Sequence, residues 1–211
     1  MREIDTNSWS RKDQYERFRQ YSDPYFSLCA NVDLTKFQPA AARYKASFTA
    51  ALIYVLARSA NSIPEFRYRL RAESVIEHEI VHPSFTVLLD NNSFSFCSAE
   101  YTESFSVFSQ RVSAGIEMVK QEPTVTDIMG DEQLYMTAIP WVSFTSFKHP
   151  MDLSAPDSVP RISWGRFFED HSRILMPLSV QVHHALMDGF HVGKFYISVQ
   201  EGLDNSEEFL A

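Results

Sequence analysis

The chain has 211 residues, with 19 basic and 27 acidic side chains and a formal net charge of -8 at pH 7. This length suits one domain with a sizeable core, so we expect residues 1–211 to form a single domain. An acidic chain is not expected to bind nucleic acid. The N-terminus lacks the apolar run of a signal peptide, and the most apolar segment, 46–60, is too short to span a bilayer. We therefore expect a cytoplasmic protein that does not bind membranes.

Apolar residues at helical spacing predict four helices. The first begins near Ser10 and stops near Pro24. The second and third cover about 46–60 and 102–120. The fourth follows Asp188, whose carboxylate is suited to cap its first turn.

Strand patterns fill the intervals between these helices. The predicted strands are 66–70, 76–89, 93–99, 134–144, 161–168 and 174–182. The last two are joined by the turn Glu169-Asp170-His171-Ser172, which predicts a hairpin. Helices and strands mingle rather than strictly alternate, so we predict an α/β two-layer sandwich, with a mixed β-sheet and helices packed on one side.

A histidine pair follows the last predicted strand. Leu178, Val180 and Val182 alternate with polar residues, and helical spacing begins after Asp188, so His184 lies in a strand-to-helix turn. Imidazole has an ordinary pKa near 6.5 and can accept a proton at neutral pH. A turn that is rigid on both sides suits a base that must be held close to its proton. His184 is therefore a candidate general base for acyl transfer.

Three other interpretations of this segment remain open. The histidine pair can be a hydrogen-bonded structural pair, and Asp188 can serve only as a helix cap. His184, Asp188 and His191 can also form a metal site, but the second histidine of a His-Glu-x-x-His motif is missing and no cysteine cluster adds ligands. We therefore expect no metal, and we expect Cys29 and Cys97 to stay reduced.

Five segments, in order between about Trp9 and Leu203, match one known family. They are Trp9-Ser10-Arg11-Lys12, Pro64-Glu65-Phe66-Arg67, His82-Pro83-Ser84-Phe85-Thr86-Val87, Pro140-Trp141-Val142-Ser143-Phe144-Thr145-Ser146-Phe147 and the run from Met176 to Val192. Together they resemble the trimeric chloramphenicol acetyltransferases, although His-His-x-x-x-Asp-Gly alone also occurs in acyltransferase domains of 2-oxo acid dehydrogenase complexes. The resemblance implies a CoA-dependent acyltransferase fold and a homotrimer with active sites at subunit interfaces.

The same resemblance implies an O-acetyltransferase that moves the acetyl group of acetyl-CoA, its co-substrate, to a hydroxyl of chloramphenicol. His184 is then the base, and Thr137, where the family usually has serine, donates to the tetrahedral oxyanion. Asp188 is expected to pair with Arg11 and so hold the start of the helix and the orientation of His184. The alternative for Arg11 is a solvated position on a surface helix.

The acceptor and coenzyme sites are also implied by the resemblance. The substrate-binding positions are Phe94, Phe96, Phe147, Thr86 and Ser163, and the cofactor-binding positions are Trp141 and Phe167. Two departures affect the acceptor side: Phe96 stands where a small residue is usual, and Arg17 with Phe18 replaces an aromatic pair. They leave open a non-catalytic trimer that binds an aromatic ligand, or an acyltransferase of the same fold that acts on a different alcohol or thiol.

Overall fold

The computed structural model describes residues 1–126, 130–153 and 157–211, and two sheets and a layer of helices organise these residues. In chain order the elements are β1 (Arg2–Ile4), α1 (Lys12–Phe18), β2 (Tyr25–Asp33), α2 (Phe37–Arg43), α3 (Phe48–Asn61), a 3-10 turn (Pro64–Arg67), β3 (Tyr68–Arg71), β4 (Ser74–Glu77), β5 (His82–Leu88), β6 (Phe94–Ser98), α4 (Phe105–Gln121), β7 (Gln133–Ile139), β8 (Arg161–Gly165), β9 (Phe168–Asp170), β10 (Arg173–His183), α5 (Gly189–Asp204) and α6 (Glu207–Leu210).

The larger sheet has the strand order β2-β10-β8-β7-β5-β6, with β9 paired to the start of β10. It is a mixed sheet, because β7 runs parallel to β5 and β8 while the other neighbours are antiparallel. Helices α3, α4 and α5 pack together on one face of it. The predicted two-layer α/β sandwich is therefore confirmed. Among the described residues, no helix has the length and apolar content needed to cross a membrane.

The helix-covered face is apolar because strand alternation directs every second side chain of β10 into the core. Leu178, Val180 and Val182 are fully buried there. On the helix side, Ser47 caps α3 by accepting a hydrogen bond from the N–H of Ala50. The core therefore holds β10 firmly along the length that leads to the histidine pair.

The opposite face carries polar side chains, and the segment 140–153 crosses part of it. Ser179 donates its hydroxyl hydrogen to the carbonyl of Phe147 (3.2 Å), and the amide oxygen of Gln181 accepts from the N–H of His149 (2.8 Å). Gly165 permits this close approach, because a Cβ there would lie 2.7 Å from the carbonyl oxygen of Val142. The buried polar residues of this face thus serve to dock the segment.

A smaller sheet of order β1-β4-β3 is joined to the larger one through Arg69. This side chain is fully buried, and its guanidinium donates to the backbone carbonyls of Phe66, Tyr68, Asp131 and Gln133 at 2.5 to 3.0 Å. Burial lowers the pKa of Arg69 to about 10, so the group stays charged at neutral pH. Carbonyl oxygens, rather than a single carboxylate, therefore compensate this buried cation.

Several predicted elements differ from the structure. The predicted strand 76–89 is wrong, since β4 and β5 belong to different sheets. The predicted strand 66–70 begins as a 3-10 turn, because Pro64 favours a helical start. β1, β2, α2 and α6 were not predicted. The predicted hairpin is confirmed between β9 and β10, but its turn is shorter than predicted. Asp170 pairs with Arg173, so the turn consists of His171 and Ser172.

We predict that Arg69→Met lowers the free energy of unfolding by about 3–5 kcal/mol, because it leaves several buried carbonyls without a donor. Urea unfolding of the purified variant measures this loss. The control is Arg173→Met, whose side chain is 57% exposed and forms a surface ion pair with Asp170. Equal midpoints for the two variants would show that the buried guanidinium is dispensable.

Candidate active site

His184 lies in the turn between β10 and α5, partly exposed, and its ring is held on several sides. The ring stacks on Phe18, with centroids 3.8 Å apart and planes 11° from parallel, and it also contacts Phe26 at 4.8 Å. The backbone N–H of His184 donates to the carbonyl of Pro24 (2.8 Å). The start of β2 and the end of α1 therefore fix the position of the imidazole.

One hydrogen bond assigns the protons of this ring. Nδ1 of His184 lies 3.0 Å from the carbonyl oxygen of Met187. A carbonyl oxygen can only accept, so Nδ1 carries the hydrogen and, in the neutral ring, Nε2 keeps its lone pair. The arrangement presents a proton acceptor away from the turn, which is what a general base requires.

His183 has a different environment from its neighbour. It is 6% exposed, packs edge-on against Tyr25, and accepts a hydrogen bond at Nδ1 from the N–H of Ala185 (3.2 Å). Burial lowers the pKa of His183 to about 4, so its ring is neutral at neutral pH. The structural interpretation of the histidine pair therefore applies to His183, whereas His184 is the accessible member.

Asp188 makes the contacts predicted for it. Its Oδ2 accepts from Nη1 of Arg11 at 2.6 Å, across 177 positions of sequence, and its Oδ1 accepts from the N–H of Phe190 at the start of α5. Burial alone would raise the pKa of Asp188, but the hydrogen bond from Arg11 and the nearby charges of His191 and Arg11 lower it below its ordinary value. The predicted ion pair and the predicted helix cap are both confirmed.

Two predicted acceptor residues and one predicted catalytic residue line a cavity of about 300 Å³ on the face of the sheet opposite the helices. They are Thr86, Phe96 and the predicted oxyanion donor Thr137. Ser163 lies beside Thr137 in the register of β7 and β8 and is 1% exposed. Phe94 stands next to Phe96 at the rim, with ring centroids 5.6 Å apart.

Sequence analysis did not predict the histidine, the arginine and the aspartate that line this cavity: His149, Arg161 and Asp157. Nη2 of Arg161 pairs with Oδ2 of Asp157 at 2.5 Å, and the guanidinium lies 5.2 Å from the centre of the Tyr135 ring. Arg161 lies two positions before Ser163 on β8, so the two side chains share one face of the strand. This spacing could have identified Arg161 from the sequence. His149 and Asp157 lie outside the strands and gave no such signal.

His149 connects the cavity to two predicted residues. Its Nε2 lies 2.7 Å from the hydroxyl of Ser163, and its ring packs edge-on against Phe147 at 4.8 Å. Burial, with a smaller contribution from the charge of Arg161, lowers the pKa of His149 to about 4. Among the described residues, the cavity is thus lined by a neutral imidazole and by an Arg and an Asp whose charges compensate each other.

The two predicted coenzyme residues line a separate groove of about 900 Å³ at the ends of β7 and β8. Trp141 is 63% exposed and Phe167 is 45% exposed. Exposed aromatic rings at a groove offer flat apolar surfaces to a ligand. The groove reaches the first turn of α3 through Phe48 and Thr49.

His184 and Thr137 are far apart within one chain. In the strand register, Thr137 lies beside Ser163, which pairs with Ser179, and His184 follows Ser179 by five positions. Strand spacing and rise then separate His184 from Thr137 by roughly 20 Å. A base and an oxyanion donor must both lie within hydrogen-bond reach of one reacting group. One copy of the chain therefore does not bring these two predicted catalytic residues together.

The described residues contain one group of side chains close enough to hold a metal ion, His78, Asp131 and Glu132, and it does not include His184. Asp131 already forms two hydrogen bonds with Arg71, at 2.6 and 2.9 Å. Because of Arg71, the pKa of Asp131 is lowered to about 2 even though burial opposes the shift. An ion pair therefore occupies the carboxylate that a metal would need.

Comparison with known proteins identifies the family. The family model described as chloramphenicol acetyltransferase matches residues 1–200. A chloramphenicol acetyltransferase of Klebsiella sp. is 32% identical over 208 residues, covering 95% of this chain and 93% of the relative. The chain belongs to the chloramphenicol acetyltransferase family. A second relative, chloramphenicol acetyltransferase 2 of Haemophilus influenzae, is 30% identical and covers 96% of both chains.

Solved structures agree on the fold. A chloramphenicol acetyltransferase superimposes with a TM-score of 0.85 at 24% identity, covering 95% of this chain and 98% of the other. The cubic core of the pyruvate dehydrogenase multienzyme complex superimposes with a TM-score of 0.71 at 15% identity, covering 94% and 88%. The fold is that of the CoA-dependent acyltransferases, and the protein is an acyltransferase by family.

We predict that Asp188→Asn leaves the fold intact but lowers kcat roughly 10- to 100-fold, a loss typical of residues that orient a functional histidine. Asparagine remains a good helix cap, while the charge that pairs with Arg11 is lost. Urea unfolding and steady-state kinetics of acetyl transfer measure the two effects. Asp204→Asn, at the far end of α5, is the control, and an unchanged kcat for Asp188→Asn would contradict the orienting role.

Proposed function

We propose that the protein transfers the acetyl group of acetyl-CoA to a hydroxyl of chloramphenicol, with His184 as general base. The family and the names of the relatives support the reaction. The hydrogen bond from Nδ1 of His184 to the carbonyl of Met187 supports the role of the base, because it leaves Nε2 available to accept a proton. This single observation carries the mechanistic part of the proposal.

The reaction needs a base and an oxyanion donor, since an alcohol is a weak nucleophile while a thioester carbonyl is already activated. Nε2 of His184 removes the hydroxyl proton as the alcohol oxygen bonds to the acetyl carbon. The hydroxyl of Thr137 then donates a hydrogen bond to the tetrahedral oxyanion. When the C–S bond breaks, the departing thiolate of CoA receives the proton from His184, and the ester leaves.

We further propose a homotrimer in which each active site lies between two subunits. The separation of His184 from Thr137 supports this, because a second copy must supply one of them. The helix-free face also exposes apolar side chains such as Leu88 and Phe94, each 51% exposed, that a neighbouring subunit could cover. In a closed ring of three subunits, each subunit uses the same two surfaces, and neither surface is left uncovered.

In this proposal acetyl-CoA lies in the groove next to Trp141 and Phe167. The groove has the volume of a ligand site and aromatic walls, which fits a long, partly apolar chain such as pantetheine. Trp141 follows directly after β7, the strand that carries Thr137. A ligand that runs from the groove along this strand could bring its thioester to Thr137.

The cavity beside Thr137 is the proposed acceptor site. The paired charges of its described lining suit a neutral acceptor, and Phe96 offers a face to an aromatic ring. His149 and the Arg161–Asp157 pair also favour a second candidate, acetylation of a different neutral alcohol that can hydrogen-bond to them. A panel of neutral aromatic and aliphatic alcohols, ranked by kcat/KM against chloramphenicol, decides between the two acceptors.

We predict that His184→Ala lowers kcat/KM for chloramphenicol by about 10²–10⁴-fold, the usual worth of positioned proton transfer. Thiol release from acetyl-CoA, with acetylated product measured in parallel, follows the reaction. His171→Ala, at a ring that is 94% exposed, is the matched control. A wild-type protein that binds chloramphenicol without releasing thiol would instead support the non-catalytic alternative.

We predict that two inactive variants restore activity when they share a trimer. Random assembly of His184→Ala and Thr137→Val subunits at equal amounts should leave an intact site at about one quarter of all interfaces, because each trimer that contains both variants has about one intact interface in three. Co-refolding at equal amounts, followed by the thiol-release assay, measures the recovery. Mixtures prepared without subunit exchange are the control, and no recovery in verified mixed trimers would place both residues in a site within one chain.

A further inference from the structure

The peptide group between Met187 and Asp188 contacts a histidine ring at its carbonyl oxygen and another at its N–H. Its carbonyl oxygen accepts from Nδ1 of His184 at 3.0 Å. Its N–H donates to Nδ1 of His191 at 3.2 Å. The ring of His184 is therefore linked to the ring of His191 through one planar, polarisable amide.

A carboxylate lies at the far end of this link. Oε1 of Glu65, in the 3-10 turn before β3, lies 3.4 Å from Nε2 of His191. The side chain of His191 is 10% exposed and that of Glu65 is 20% exposed, so water screens their interaction only weakly. Glu65 thus faces the nitrogen of His191 that does not contact the peptide.

The donors can all point in one direction. His191 accepts the Asp188 N–H at Nδ1, so in the neutral ring its hydrogen is on Nε2, the nitrogen nearer to Glu65. His184 then donates to the peptide and the peptide donates to His191, while the carboxylate of Glu65 acts on the His191 ring through its charge at 3.4 Å. We call this series of contacts the Glu65 relay.

We propose that Glu65 and His191 are positioning residues that act on the catalytic base through the peptide group between Met187 and Asp188. This inference rests on the proposed role of His184. Each contact polarises the next, so the carboxylate increases the negative charge on the Met187 carbonyl oxygen. That oxygen in turn holds Nδ1–H of His184 and stabilises the positive charge that develops when Nε2 takes a proton.

The protonation state of His191 determines whether its Nδ1 can accept the N–H of Asp188, because a carboxylate oxygen lies beside the same nitrogen. Oδ1 of Asp188 lies 2.9 Å from the same Nδ1 of His191. Protonated His191 would donate to this carboxylate and could no longer accept the peptide N–H. The charged groups that face His191 are Glu65, Asp188 and Arg11, and burial outweighs the two carboxylates to lower its pKa below the ordinary value. The neutral ring that the relay requires is therefore favoured at neutral pH.

The relay also accounts for a motif that the acyl-transfer chemistry does not otherwise use. Glu65 belongs to the segment Pro64-Glu65-Phe66-Arg67, and His191 follows the Asp-Gly pair after the histidines. Phe66 and Phe195 stack at 4.7 Å, which fixes the 3-10 turn against α5. The carboxylate is thus held in place by packing that is independent of the site.

The test compares Glu65→Gln and His191→Leu with wild type in two measurements. We expect each variant to lower kcat about 10-fold or more while both KM values stay within about twofold, because neither residue lines the proposed acceptor cavity or the proposed coenzyme groove. The double variant should be no slower than the slower single variant, as expected for residues that act as one unit. His191→Gln, which can still accept from the peptide and donate to Glu65, should recover part of the loss.

The second measurement needs no acceptor. Nitrogen-15 NMR at neutral pH should find His184 with its hydrogen on Nδ1 in wild type and a mixture of tautomers in His191→Leu. Glu79→Gln, at a side chain that is 90% exposed, is the control. Unchanged kcat and an unchanged tautomer in both variants would overturn the relay. Failure of wild type to acetylate chloramphenicol would refute the proposed acceptor, while the NMR result would still decide on the relay.

Discussion

His184 can serve as a base only while one ring nitrogen is engaged with the protein and the other is available, and the hydrogen bond to the Met187 carbonyl provides this. The bond depends on a turn held by two rigid elements. On one side β10 is buried in the core, and on the other Asp188 caps α5 while pairing with Arg11. A cap, an ion pair and a tautomer are thus properties of one five-residue turn.

The two faces of the sheet explain why the proposed site divides between copies of the chain. One face is covered by helices, and the β10 side chains on it are apolar and buried. The other keeps Thr137 and its neighbours near the middle of the strands, while His184 lies beyond the end of β10. Strand geometry therefore prevents one chain from closing the site. Partial exposure of His184 is compatible with this division, since it leaves part of the ring accessible to a second copy of the chain in the proposed trimer.

Local signals predicted the turn that carries His184 well. The change from strand to helix spacing and the cap at Asp188 involve neighbouring residues, and both are present in the structure. β2 also carries an alternating pattern, in Phe26, Leu28 and Val32, although this strand was not predicted. The position of His149 could not be read in this way, because it depends on how segment 140–153 docks on the sheet. Contacts between distant residues, such as Arg11 with Asp188, were accessible only through the family resemblance.

The proposed acceptor cavity departs from the expected pattern of aromatic walls, because His149, Asp157 and Arg161 also line it. A guanidinium and a carboxylate are costly to bury singly, but Arg161 and Asp157 neutralise each other, and Tyr135 covers one face of the guanidinium. His149 adds an imidazole that burial keeps neutral. A ligand can therefore find hydrogen-bond donors and acceptors here without meeting net charge. Recognition in this cavity would then depend on hydrogen-bond geometry, which distinguishes similar alcohols more sharply than apolar contact does.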